Sequence, residues 1–159
     1  MANDTPILYV FVRTDMPSMT PGKAQAHSGH AANAFVHKHV VKKLQKTKLL
    51  DPDVLKWTEA TEQGFGTQIN LKGNWADVCK AHEAALAAGV ITDIVLDPTY
   101  PYIVDAEMVE LIKPVMHAID PIALDNGKFV CHRPEHTAIY FFGMKDQLKS
   151  FVGEFPLHP

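Results

Sequence analysis

The chain has 159 residues, about one domain's worth, and 47% of them are hydrophobic, enough to bury a sizeable core. A net charge of −3 argues, though only slightly, against a nucleic-acid partner, and two cysteines do not make a disulfide framework. No run of eighteen apolar residues and no charged-then-apolar leader is present, so a cytoplasmic protein that neither spans nor binds a membrane is expected.

Residues 7–12, Ile-Leu-Tyr-Val-Phe-Val, are six consecutive apolar side chains. They predict a strand covered on both faces. Arg13-Thr14-Asp15 ends it, and residues 15–19, with Pro17 and Ser18, read as a loop. Thr20 is a good helix N-cap and Pro21 a good first helical residue. The helix that follows is rich in small residues: Ala24, Ala26, Ser28, Gly29, Ala31, Ala32 and Ala34. Gly29 costs helix propensity of about 1 kcal/mol relative to Ala, and a close backbone approach would account for it. From residue 35 the helix reads as amphipathic, with Phe35, Val36, Val40, Val41 and Leu44 among lysines. It is expected to end near Leu49, with Asp51-Pro52-Asp53 as the stop.

Residues 54–61 contain Trp57 and suggest a further helical turn. Gln63-Gly64-Phe65-Gly66 predicts a turn into a second strand, 67–71. Asn74 caps a second long helix, 75–88, whose apolar positions Val78, Cys79, Ala81, Ala85 and Leu86 recur at helical spacing. Cys79 is expected to be a buried thiol. Gly89 suits a helix C-terminus, and a third strand, 90–96, follows. Strand–helix–strand–helix–strand is the order of an α/β protein. Residues 97–102, with Pro98 and Pro101, read as a stiff, wide loop. A helix over 105–119, bent by Pro114, comes next. Residues 120–135 read as loop, 136–143 as a fourth strand and 145–152 as a closing helix. The expectation is one α/β domain over 1–159, three layers deep, with a mixed four-stranded sheet flanked by helices and an inserted helical segment at about 103–135.

The candidate site lies where the first strand meets the first helix. A helix start has free N–H groups and a positive end, so it favours anions, as does the strand end of an open α/β sheet. Lys23 adds a full charge there, with Arg13 and Asp15 beside it. Read alone, Lys23 is a surface lysine; its place after Thr-Pro-Gly raises the functional reading. His27 and His30 share one helix face. Each reads equally as a packed histidine satisfied by one hydrogen bond. No HExxH, CxxC or carboxylate cluster accompanies them, so no metal site is expected. Asp97, at a strand end, is either a general base or a cap for the next turn, with Thr99 beside it. No GxGxxG, GxxxxGK[ST] or GxSxG is present, so no nucleotide cofactor is expected. Lys38, Lys42, Lys43, Lys46, Lys48 and Lys56 crowd a short stretch opposed there by Asp51 and Asp53. They form either a basic patch for nucleic acid or a solvated helix face.

Tyr9-Val10-Phe11-Val12-Arg13-Thr14-Asp15, then Pro21-Gly22-Lys23-Ala24, then His30-Ala31-Ala32 resembles the opening of type 2 peptidyl-tRNA hydrolases. Ala87-Ala88-Gly89-Val90 and Ile94-Val95-Leu96-Asp97 resemble that family's segment ending in an aspartate at the third strand. The resemblance covers about residues 7–49, 66–97 and 136–152. Lys23, His30 and Asp97 match by position and Thr99 loosely. His27 stands where the family has a glutamine, and Pro98-Thr99-Tyr100-Pro101 where it has Gly-Arg-Thr. The resemblance implies hydrolysis of the ester joining a peptide to the 3′ end of tRNA, without cofactor. It implies catalytic roles for Lys23, His27, His30, Asp97 and Thr99, and substrate contacts from Arg13, Asp15, Lys38, Lys42 and Lys46. It also implies a homodimer. The alternative is a binding protein for RNA or a protein partner on the same fold, with a degraded active site.

Overall fold

The structure, a computed structural model, describes residues 5–116 and 119–158. Strand β1 is Ile7–Arg13, and helix α1, Pro21–Val36, follows the loop. Thr20 is extended, and its side-chain oxygen accepts a hydrogen bond from the Lys23 N–H at 3.4 Å. The cap therefore satisfies a donor that the first helical turn leaves unpaired. The helix does not run straight to its end. A π turn, His37–Val41, in which the Lys42 N–H reaches back to the His37 carbonyl, leads into α2, Lys42–Thr47. Lys48 then adopts a left-handed conformation, φ 61°. Asp51-Pro52 is a start rather than a stop. Asp51 caps α3, Pro52–Thr58, accepting from the Asp53 and Val54 N–H groups.

Strand β2 is Gln68–Gly73 and α4 is Trp75–Ala87, capped by Asn74. Gly89, at φ 75°, supplies the left-handed turn after α4. Strand β3, Ile91–Asp105, is far longer than expected and absorbs the supposed loop at 97–102. Helix α5 covers only Ala106–Ile112, with a 3₁₀ turn, Lys113–Val115, at Pro114. The rest of the helix expected to 119 includes residues 117 and 118, which lie outside the described residues. The loop expected at 120–135 is mostly strand: β4, Ile122–Ala123, turns at Asn126-Gly127 into β5, Lys128–Gly143. Helix α6 is Lys145–Val152.

Among the described residues the sheet has five strands where four were expected. Its main path runs β2-β1-β5-β3, and the two-residue β4 pairs with β5. β1 and β2 are parallel, with Arg13 opposite Gly73; β1 and β5 are antiparallel, with Val10 opposite Tyr140. This is the expected mixed α/β sheet between helices. The chain divides into two compact units, Met1–Val95 with Ala138–Pro159, and Leu96–Thr137.

In the first unit, β1 separates two cores. Leu8, Val10 and Val12 pack with Ala24, Ala31 and Phe35 of α1 and Val54 and Trp57 of α3. Ile7, Tyr9 and Phe11 pack with Val78 and Ala85 of α4 and Leu148 and Val152 of α6. Each fully buried side chain of this kind contributes roughly 1.5–3 kcal/mol. The edge of β2 is covered by the chain end, through Lys72 N–H to the Pro156 carbonyl at 3.0 Å and His158 N–H to the Asn70 carbonyl at 2.9 Å. The second unit contains α5, β4 and parts of β3 and β5. Its Tyr102 hydroxyl donates to Glu135 at 2.5 Å, while Arg133 lies 4.3 Å over the Tyr102 ring.

Three expectations about packing are corrected. Leu86 is 58% exposed, because the α4 stripe that meets the sheet is narrower than its apolar positions. Cys79 is only half-buried; Cys131 is the buried thiol. Gly29 is exposed, and a Cβ built there meets nothing within 4 Å, so no close approach explains it. Replacing Gly29 by Ala should therefore stabilise the protein by about 0.5–1 kcal/mol, read as a higher urea midpoint; a lower midpoint would show a constraint on that backbone.

Candidate functional site

The strand end is held by a charged clamp. Arg13 donates to both Asp15 oxygens, from Nε at 3.0 Å and from Nη2 at 2.8 Å. The guanidinium also sits 4.8 Å over the Trp75 ring at the start of α4. The Arg13 hydrogen bonds hold the Asp15 carboxyl below its usual range. Thr14 ties the turn to β2, both N–H (3.1 Å) and hydroxyl (3.2 Å) donating to the Gly73 carbonyl. The parallel pairing thus continues one residue past Arg13. Trp75 was missed in the sequence, although an aromatic at a helix start beside a strand end is a natural platform for a guanidinium.

Lys23 stands in the first turn of α1, half-buried, and burial lowers the pKa of its ammonium. One turn on, His27 is buried and His30 exposed, and their rings meet edge to face at 5.2 Å. Lys23, His27 and His30 are therefore grouped by one helix. Arg13 and Asp15 belong to the same compact unit. Asp97 and Thr99 belong to the second. There the Asp97 Oδ1 accepts from the Thr99 N–H at 2.8 Å and from its hydroxyl at 3.3 Å, the capping geometry that was one of two readings of this aspartate.

Next to His27, the nearly buried Ser28 is part of a polar knot between α1 and β2. Its hydroxyl donates to Asn70 Oδ1 at 2.7 Å and accepts from Gln68 Nε2 at 2.8 Å. Gln68 Nε2 also donates to Asn70 Oδ1 at 2.9 Å. Amides alternating on one face of β2 are the only trace of this knot in the sequence.

Of the expected substrate-contact lysines, Lys38 pairs with Asp93 at 2.6 Å. Lys42 and Lys46 are exposed on α2, as are Lys43, Lys48 and Lys56 nearby. Of the expected amphipathic face, Phe35 is buried and Val36 and Val40 pack against the core, but the face ends there: Val41 and Leu44 are 38% and 40% exposed, and no residue of α2 is buried. His39 takes the ordinary role of a core histidine. It stacks on Phe35 and hydrogen-bonds the Tyr140 hydroxyl at 3.1 Å, and desolvation lowers its pKa.

No family model and no curated protein matches the chain. Ten chains of solved structures do. One is Atu0240 of Agrobacterium tumefaciens strain C58, a protein of unknown function. It is 10% identical, with a TM-score of 0.50, over 97% of this chain and 98% of that one. The likeness is one of fold. Among the described residues no helix is long and apolar enough to cross a membrane.

Asp15 gives a test of the clamp. Its folded pKa is lowered, so its contribution to stability is full above the unfolded-state value near 4 and is lost as pH falls through the folded value. Asp15→Asn should lower the urea midpoint at pH 7, and the gap from the unsubstituted protein should close as pH falls through the folded-state value. A gap independent of pH would mean that the pair does not stabilise the turn through its charge.

Proposed function

We propose that the chain hydrolyses the ester between a peptide and the 3′ end of tRNA, releasing free tRNA. Lys23 carries this reading: a half-buried ammonium, its pKa lowered by desolvation, in the capped first turn of a helix. A cation in a partly dry position acts on a developing oxyanion more strongly than one in water, and the adjoining helix N-terminus adds to it. Arg13, fixed by Asp15 and Trp75, keeps the neighbouring turn in one geometry. His27 and His30 supply ring nitrogens for the substrate along the same helix. The resemblance assigns the attacking water to Asp97, with Thr99 holding that carboxylate. Lys42 and Lys46, with Lys43 and Lys48, offer an exposed row of cations to the tRNA backbone. Lys38 would join them only by leaving Asp93. Such a role belongs with translation in the cytoplasm. The homodimer implied by the resemblance is tested by the mass of the particle in solution.

One observation favours a second reading, a binding protein without turnover. Asp97 Oδ1 already accepts two hydrogen bonds from Thr99, so the oxygen a water would need is engaged in a local turn.

Release of free tRNA from an N-blocked aminoacyl-tRNA separates the two. Lys23→Ala should reduce turnover by about 100-fold with little change in melting temperature, and Asp97→Ala should abolish it; turnover unaffected by Lys23→Ala sinks the catalytic assignment. Binding without turnover favours the second reading. Replacing Lys42, Lys43 and Lys46 together by Gln should weaken tRNA binding and reduce the slope of log K against log salt by about 2–3; an unchanged slope would place the tRNA contact elsewhere.

A further inference from the structure

A pocket of about 570 Å³ opens between α1, α3 and the turn before β2, away from Lys23 in the chain and wholly within the first compact unit. Val36 and Trp57 give it apolar walls, and Asn33 and Gln68 bring carboxamides to it. At its side is Phe65, a residue 48% exposed.

That exposure is built in. The Thr61 hydroxyl donates to the Phe65 carbonyl at 2.6 Å and accepts from the Phe65 N–H at 3.3 Å, so both backbone groups of Phe65 are fixed. Gly64, at φ 84°, makes the turn before it. Gly66 lies so close to Trp57 that a Cβ there would come within 2.6 Å of the indole. The two glycines let the backbone pass against Trp57 while the ring between them points out of the core. Gln68 is fixed as well, its amide nitrogen donating to Ser28 and Asn70. A planar aromatic face, an apolar wall and two carboxamides, that of Gln68 held in place, are what an unstacked nucleobase requires. The surroundings suit the phosphates of the same strand. Lys56 precedes Trp57 in α3, and the exposed lysines of α2 follow from the helix that carries Asn33 and Val36.

We propose that this pocket receives an unpaired nucleobase of a single-stranded RNA segment, stacked on Phe65 and hydrogen-bonded by Asn33 and Gln68. The assignment rests on the reading of the substrate as an RNA and extends it to a base-binding subsite. It also gives Phe65 a role that a half-exposed aromatic has no need of for folding.

The test is fluorescence anisotropy of the full chain at low salt with two labelled probes, a short oligoadenylate and the same backbone without bases. The oligoadenylate should bind about tenfold more tightly. Phe65→Ala should remove that preference while leaving the baseless probe and the melting temperature unchanged, and Phe65→Trp should retain it. Lys42→Gln with Lys46→Gln should weaken both probes alike. Equal affinity for the two probes, or a preference that survives Phe65→Ala, overturns the subsite and leaves the RNA reading standing. Failure of the folded protein to bind either probe overturns both.

Discussion

The two-sided burial of β1 is the constraint on which the rest of the first unit depends. Six consecutive residues lose water on alternate faces, so neither face of the sheet can be left open. α1 and α3 must close one side, and α4 and α6 the other. β2 and β5 must take up the backbone hydrogen bonds along its edges. Once β1 is fixed in this way its last residue is fixed too. Arg13 then emerges at the end of the sheet, opposite Gly73, with Trp75 beneath its guanidinium. The polar turn is therefore a product of the core: a slip of one residue in β1 would exchange its two faces and move Arg13 off its platform.

The start of α1 illustrates how a short local pattern creates a chemical environment. Thr20 closes the helix, Pro21 needs no hydrogen-bond acceptor, and Lys23 is left in the first turn with part of its hydration removed. The small residues that follow let the helix lie against the sheet at Ala24 and Ala31, which brings His27 and Ser28 out of water with them. Ser28 then has to be satisfied, and the amides of Gln68 and Asn70 do so from the edge strand. A buried hydroxyl left alone there would cost roughly 1–3 kcal/mol. The knot accordingly ties the helix to a strand that is otherwise covered on its outer edge by the chain terminus.

Much of this was legible because its determinants are local. The apolar run 7–12, the Thr20-Pro21 start, the Asn74 cap and Gly89 each act within a few residues, and each element is found where it was expected. What was not legible is non-local. Pro98 and Pro101 signal a loop by composition, yet β3 is the last strand on the sheet path, and proline is tolerated on an edge strand that need not donate on both sides. Residues 120–135 were read as loop, although Asn126-Gly127, with strands on either side, is a hairpin turn. Asp51-Pro52 was read as a stop because the same pair serves equally well at N-cap and N1. At the site, Arg13, Asp15 and Lys23 were visible from their order along the chain. Trp75 and the Ser28 knot were not, because each acquires its partner only when separate elements meet.

The π turn at His37–Val41 bears on how this chain tolerates change. One extra residue in the turn rotates everything after it by roughly 100° relative to the helix before it. The packed face that Ala24, Ala31 and Phe35 define is thereby not propagated into α2, and none of the α2 side chains enters the core. Substitutions in α2 are thus released from the requirements of packing. Divergence can rewrite the charge and length of that segment while the helix ahead of it stays bound to its sheet, so surface charge and foldability vary on separate stretches of what looks like one continuous helix.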